Sequence, residues 1–189
     1  MSLVFDQGNK VLNNLLKSRL PVQPGARILE IGCGTGKLIS EIVSEIGAGC
    51  IEGVEISETM VALARKKNRR ALADGRVIIH PGDFNQIMFP ENAYDAVCSC
   101  NTIYFWRDPL FTMRKIYSIL KPGRKIVIAF EDKSRLETRK LSSDIFRLYS
   151  AEDARDLLEE GGFQKPIEIN RKSGRLSGLC CVSAFSRGK

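Results

Sequence analysis

A single histidine, His80, and a single tryptophan, Trp106, occur in 189 residues, and that scarcity removes several kinds of chemistry at once. With one histidine, a Cys/His zinc site would need cysteines in CxxC pairs. Cys33, Cys50, Cys98, Cys100, Cys180 and Cys181 show only CxC and CC spacings. Four of the six lie in apolar, strand-like segments where cysteine acts as a small hydrophobe, so no metal and no disulfide framework is expected. No apolar run approaches the ~18–20 residues that span a bilayer, which argues against a membrane partner. The opening "MSLVFDQGNK" has no basic segment followed by an apolar core, so no secretory signal is visible and a cytoplasmic protein is expected.

What is present is ordinary globular material, 43% hydrophobic and 27% charged, in a length that suits one domain. The net charge of +7 draws attention to "RKKNRR", residues 65–70. Cations in a last helical turn complement the helix dipole. Aromatic residues are not interleaved with them, as a stacking platform for single strands would require. Nucleic acid is therefore the secondary reading of this cluster and a solvated face the primary one.

Along the chain, strand-like and helix-like patterns alternate. Residues 9–20 place Val11, Leu12, Leu15 and Leu16 at helical spacing. "ARILEI", "CIEGVEI", "RVIIH", "YDAVCSC" and "KIVIAF" read as five buried strands. "KLISEIVSEIG", "ETMVALARKKNRRALAD" and "DPLFTMRKIYSIL" read as the helices between them, with Ser57 and Asp108 as caps and Pro109 at the first helical position. After a polar stretch, "SAEDARDLLEEGGF" gives a helix capped by Ser150, and "PIEIN" and "GLCCVSAF" give two more strands. The expectation is a doubly wound α/β fold in one domain, a seven-stranded, mostly parallel sheet with helices on both faces. In such sheets ligands sit beyond the carboxyl ends of the strands. The unusual segments, "EIGCGTG", "VEIS", "PGDF" and "CSCNTIYFW", all fall there.

The first of these, "ILEIGCGTG" at residues 28–36, sets Gly32, Gly34 and Gly36 at alternate positions behind an apolar run. A Walker A loop fails at both ends, because Ile31 stands five before Gly36 and Leu38 follows Lys37. A dinucleotide fingerprint loses its third glycine to Lys37. The remaining pattern, an acid followed by GxGxG, resembles the first motif of the class I S-adenosylmethionine-dependent methyltransferases. "VEIS" resembles that family's second-strand acid, "PGDF" its third-strand turn, "YDAVCSCNTIYFW" its fourth strand and following loop, and "ILKPGRKIVIAF" its helix-to-fifth-strand segment. The resemblance runs from about residue 24 to residue 130.

It implies S-adenosylmethionine as cofactor, a Rossmann-like fold and methyl transfer to a small-molecule acceptor. Residues 24–131 would form the cofactor core, residues 1–23 an N-terminal helix covering the site, residues 132–149 a lid, and residues 150–189 a closing helix and strand pair. By the resemblance, Gly32, Cys33, Gly34 and Gly36 offer bare backbone to the cofactor and Glu30 meets its ammonium end. Glu55 takes the ribose hydroxyls, Asp83 and the Phe84 N–H take adenine, and Ile56 and Met60 sandwich the purine. Asn101 touches the methionine part, while Tyr104, Phe105 and Trp106 wall the acceptor pocket. Asn101 and Tyr104 occupy the place of the [DNS]PP[YFW] motif of amino-methylating enzymes, but Thr102 and Ile103 replace its prolines. His80, at an apolar strand end, reads as structural, so no catalytic base is assigned. Phe5 and the segment 131–149 are expected to set acceptor identity. RNA or protein methylation, a non-catalytic binding module and an NAD-dependent oxidoreductase are the alternatives.

Overall fold

The computed structural model describes residues 2–139 and 146–188, with side chains described from residue 9 onward except at 138. Phe5's side chain and the middle of the expected lid, residues 140–145, lie outside the described residues.

Five parallel strands form the body of one sheet: β1 (Arg27–Ile31), β2 (Cys50–Glu55), β3 (Val77–Pro81), β4 (Tyr94–Cys100) and β5 (Leu120–Glu131). β6 (Gln164–Arg171) and β7 (Leu179–Phe185) complete it as an antiparallel pair, with β7 against β5. The order β3-β2-β1-β4-β5-β7-β6 reverses direction between β1 and β4, which places the switch point at the glycine turn. The expected seven strands are all present.

Both faces of the sheet are covered, which is why the strands read as unbroken apolar runs. Ile28, Ala96 and Cys98 point into one core with Leu12 and Leu16, whereas Leu29 and Val97 point into the other with Met113, Ile116 and Phe130. Leu12 and Leu16 belong to α1 (Ser2–Lys17), which lies against β4, β5 and β7. Each is fully buried, worth about 1.5–3 kcal/mol. On the other face α5 (Pro109–Ile119) starts at Asp108, whose carboxylate accepts the Phe111 N–H at 2.9 Å. α7 (Ala151–Glu160) opens with a reciprocal capping box between Ser150 and Asp153. Asp132 caps the short α6 (Lys133–Leu136).

Two helices differ from the sequence reading. α2 stops at Ile42 rather than continuing to residue 47 (Lys37–Ile42), and the Arg76 guanidinium takes the carbonyl of Val43 just beyond it. The single helix expected over residues 58–74 is two: α3 (Glu58–Lys67) and α4 (Arg69–Ala73). The break is at Asn68, which is buried and donates its amide to the carbonyls of Gly36 at 3.0 Å and Ala64 at 2.9 Å. Its side chain thereby ties the end of α3 to the glycine turn instead of letting the helix run on.

Candidate active site at the strand tips

Beyond the tips of β1 to β4 lies a cleft of about 650 Å³. Ile31 and Gly32 form one wall, Glu55 and Ile56 a second, Asp83 and Phe84 a third, and Phe105 and Trp106 close the side opposite. Seven of the sequence-derived site residues therefore share one cavity: Gly32, Glu55, Ile56, Asp83, Phe84, Phe105 and Trp106.

The three glycines are bare for different reasons. A Cβ on Gly32 would stand 2.2 Å from Thr102 Cγ2, and one on Gly36 would stand 2.6 Å from the Asn68 amide nitrogen and 3.0 Å from Ala64 Cβ. At these two positions the space is filled by the protein. Gly34 differs: nothing lies within 4 Å of its missing Cβ, and its φ of +52° is what requires glycine. Only at Gly34 does the turn leave open space over the main chain.

Glu55 holds that turn in place. Its carboxylate accepts the Gly34 N–H at 2.9 Å with one oxygen and the Ser57 N–H at 2.8 Å with the other. Glu30 behaves otherwise. It is 3% exposed, its Oε2 has no partner among the described residues, and burial, reinforced by the negative charges of Glu55 and Glu41, pushes its pKa well above the usual carboxylate value. The Cys33 thiol is buried against β2, where a Cβ on Gly53 would stand 2.8 Å from its sulfur. Burial also raises its pKa, so it packs as a neutral thiol.

Asp83 Oδ1 accepts the Asn85 N–H at 2.8 Å, and Asn85 reaches Thr112 Oγ1 at 2.8 Å. Lys115 braces the loop after β3 from below, donating to the carbonyls of Phe84 at 2.6 Å and Ile87 at 2.7 Å while lying 4.9 Å from the Phe84 ring centroid. Its burial lowers the pKa of its ammonium, partly opposed by Asp83.

The remaining expected residues stand outside the cleft lining. Met60 is 37% exposed on α3. Tyr104 is buried, its hydroxyl accepting the Glu131 N–H at 2.6 Å and lying within donating reach of two acceptors, the Glu131 carbonyl at 2.9 Å and Asn101 Oδ1 at 3.1 Å. It clasps the loop after β4 to the end of β5 rather than presenting a free phenol. Asn101 adopts φ +57°, uncommon for a side-chain-bearing residue, and donates its side-chain amide to Asn9 of α1 at 2.8 Å. Phe105 and Phe146 pack with ring centroids 5.0 Å apart, which joins the segment after residue 145 to the same corner. His80 bonds Glu52 at 2.7 Å and lies away from the cleft.

Sequence reasoning missed Thr102, which lines the cleft and fills the space beside Gly32, and Asn68 and Lys115, which act on the site through other residues. Only Asn68 left a signal, as the one uncharged residue inside "RKKNRR".

The family described as Methyltransferase domain matches residues 28–123. The chain belongs to this methyltransferase family. Similar proteins include the cycloartenol-C-24-methyltransferase of Arabidopsis thaliana, 31% identical over 111 residues, which are 59% of this chain and 33% of that one. O-methyltransferase cnsE of Penicillium expansum is 29% identical over 157 residues, covering 80% of this chain and 56% of that one. This methyltransferase-family chain thus spans between a third and just over half the length of these relatives. An S-adenosylmethionine-dependent methyltransferase from Mesorhizobium loti shares its fold, with TM-score 0.75 and 20% identity over 91% of this chain and 96% of that one.

The donor set of this family member fits S-adenosylmethionine on three observations. Two acids, Glu55 and Asp83, face the cleft, and among the described residues Arg107 is the one lining cation, which suits hydroxyls and amino groups better than phosphates. Buried polar atoms lack partners at Glu30 Oε2 and Trp106 Nε1. Open space stands over Gly34.

Proposed function

We propose that the chain transfers a methyl group from S-adenosylmethionine to a small-molecule acceptor, and that the cleft of about 650 Å³ is the cofactor's nucleoside site. The observation that carries this is the joining of the opened Gly34 backbone to Glu55 through one hydrogen bond, at the switch point of a methyltransferase-family sheet. Glu55 takes the ribose hydroxyls with the lone pairs its two backbone bonds leave free. Asp83 accepts from the adenine amino group, and Ile56, Phe105 and Trp106 supply apolar walls. Glu30 receives the ammonium end.

S-adenosylmethionine supplies a methyl group on a positively charged sulfur that leaves as a neutral thioether. The chain's part is then placement. Among the described residues the cleft lining contains no histidine, lysine or cysteine. Orientation can lower a barrier by roughly 7–11 kcal/mol. The acceptor side lies toward Asn101, Tyr104 and Phe146, where the aromatic corner meets α1. A small acceptor is supported by this corner and by the relative named for methylating cycloartenol. The six free cysteines support a cytoplasmic setting.

Calorimetry with S-adenosylmethionine and S-adenosylhomocysteine tests the reading. Both are expected to bind the folded protein at one site. Absence of heat from either, on protein with a cooperative melt, removes it.

A further inference from the structure

Residues 65–70 supply five of the cations behind the net charge of +7. Arg65 has structural work, donating to the Ile79 carbonyl at 3.2 Å. Lys66, Lys67, Arg69 and Arg70 do not: all four are exposed, and among the described residues none has a salt bridge or side-chain hydrogen bond. Some surface cations elsewhere are matched, as Lys17 is with Glu45, Lys121 with Asp95, Arg155 with Asp156 and Arg171 with Glu152. Others, such as Lys10, Arg114 and Lys172, have no such match among the described residues; what sets this corner apart is four unmatched cations within five positions. The helix break at Asn68 shapes the unmatched group into a surface. At this corner lie two adjoining grooves, of about 520 Å³ and about 400 Å³, that share Lys66, Lys67 and Arg69. One groove reaches Thr35 in the glycine turn and the other reaches Ser40 on α2. Neither shares a lining residue with the strand-tip cleft.

We propose that this double groove docks the phosphodiester backbone of a nucleic acid, on a surface separate from the methyl-transfer cleft. Four like charges held together without counter-charges repel one another, and a polyanion relieves that repulsion while releasing its own counterions. Two contiguous concavities suit a linear chain of charges better than one compact anion does. Thr35 adds a hydroxyl donor of the kind that binds phosphate oxygens, whereas the Ser40 hydroxyl is given to the Lys37 carbonyl at 2.7 Å. Leu63 is the one large apolar side chain in the first groove, and no aromatic ring lines either. Bases therefore have nothing to stack on, and recognition falls on the backbone without sequence preference. A bilayer would prefer several apolar anchors, and Leu63 is the one exposed large apolar side chain lining these grooves. The surface is independent of the functional reading above, since it uses none of the cleft residues.

Fluorescence polarisation with a labelled oligouridine of about twelve nucleotides tests this. Four phosphate contacts give a log–log salt slope of about −2.8, so affinity is expected to fall roughly 50-fold between about 50 and 200 mM salt. The variant Lys66→Gln/Lys67→Gln/Arg69→Gln/Arg70→Gln changes exposed side chains only. It is expected to keep the wild-type melting temperature and S-adenosylhomocysteine affinity while losing tenfold or more of its affinity for the oligonucleotide. Lys172→Gln/Arg175→Gln, exposed cations elsewhere, is expected to leave that affinity intact. The proposal is overturned if the wild type does not bind at low salt, if the slope is near zero, or if the quadruple variant binds as well as the wild type. Equal affinity for polyglutamate or for phosphatidylserine vesicles overturns it too, in favour of an acidic protein or a membrane. Failure of S-adenosylhomocysteine to bind wild type would strike the cleft reading alone.

Discussion

The glycine turn has an inner wall and an outer wall, and they are built on opposite terms. On the inner side Gly32 and Gly36 are crowded by Thr102, Asn68 and Ala64, and Glu30 is buried with an unpartnered oxygen. On the outer side Gly34 faces open space and Glu55 is fixed by two backbone N–H groups while still lining the cleft. Residues of one type, within a few positions of one another in the fold, thus do different jobs. The inner wall sets the shape of the turn, although Gly32 also lines the cleft, and the outer wall carries the ribose contact proposed for Glu55. If that division holds, changes to the outer wall weaken ligand binding together with the turn, whereas changes to the inner wall act on folding first.

The largest effect is expected at Glu55→Ala. Two hydrogen bonds to a charged acceptor disappear, each worth about 1.5–3 kcal/mol, together with the ribose contact proposed for the same carboxylate. S-adenosylhomocysteine affinity should fall by roughly 100-fold or more by calorimetry, with Glu55→Gln between the two. An unchanged dissociation constant in Glu55→Ala would dissolve the outer wall as a functional unit.

A smaller effect, on stability instead of affinity, is expected at Gly32→Ala. Its methyl would stand 2.2 Å from Thr102 Cγ2, and such overpacking costs about 1–3 kcal/mol, with a further contribution from placing alanine at φ +72°. Thr102→Ser removes Cγ2 and keeps the hydroxyl that meets Ser99 and Ile31. The double variant should recover the packing part of the loss in denaturant unfolding. If it recovers nothing, Thr102 is not what keeps Gly32 bare.

The outer wall was legible in the sequence and the inner wall was not, for a physical reason. The glycine spacing, the acid ending β2 and the Asp83 turn are local patterns, and strand alternation alone brings them to one end of the sheet. Thr102 on Gly32, Asn68 under Gly36 and Lys115 below Phe84 are contacts across 31 to 70 positions, and nothing local in the chain announces them. The same limit explains Tyr104. From sequence it belongs with Phe105 and Trp106 as pocket wall, and only the approach of β5 shows its hydroxyl held by the Glu131 backbone. It also explains the helix over residues 58–74, whose propensity runs through Asn68 but whose tertiary bond to Gly36 does not.

The last test separates the two acids by pH. In the folded chain Glu30 lies near the thiols of Cys33, Cys98 and Cys100 and the charges of Glu55 and Glu41, and among the described residues no cation offsets its desolvation. Its folded pKa is therefore raised. Between the ordinary glutamate value near ~4.3 and that raised value, the folded state keeps a proton that the unfolded chain has shed, so stability falls as pH rises across the window. Each pH unit inside the window withdraws about 1.4 kcal/mol, and below it the effect vanishes. Glu30→Gln cannot ionise and escapes the loss. Its melting temperature should match wild type near about pH 4 and exceed it by a widening margin toward neutrality. The variant should also bind S-adenosylhomocysteine more weakly if Glu30 meets the ammonium end. A constant margin across pH would mean that Glu30 ionises freely, and the inner wall would then be less dry than its burial implies.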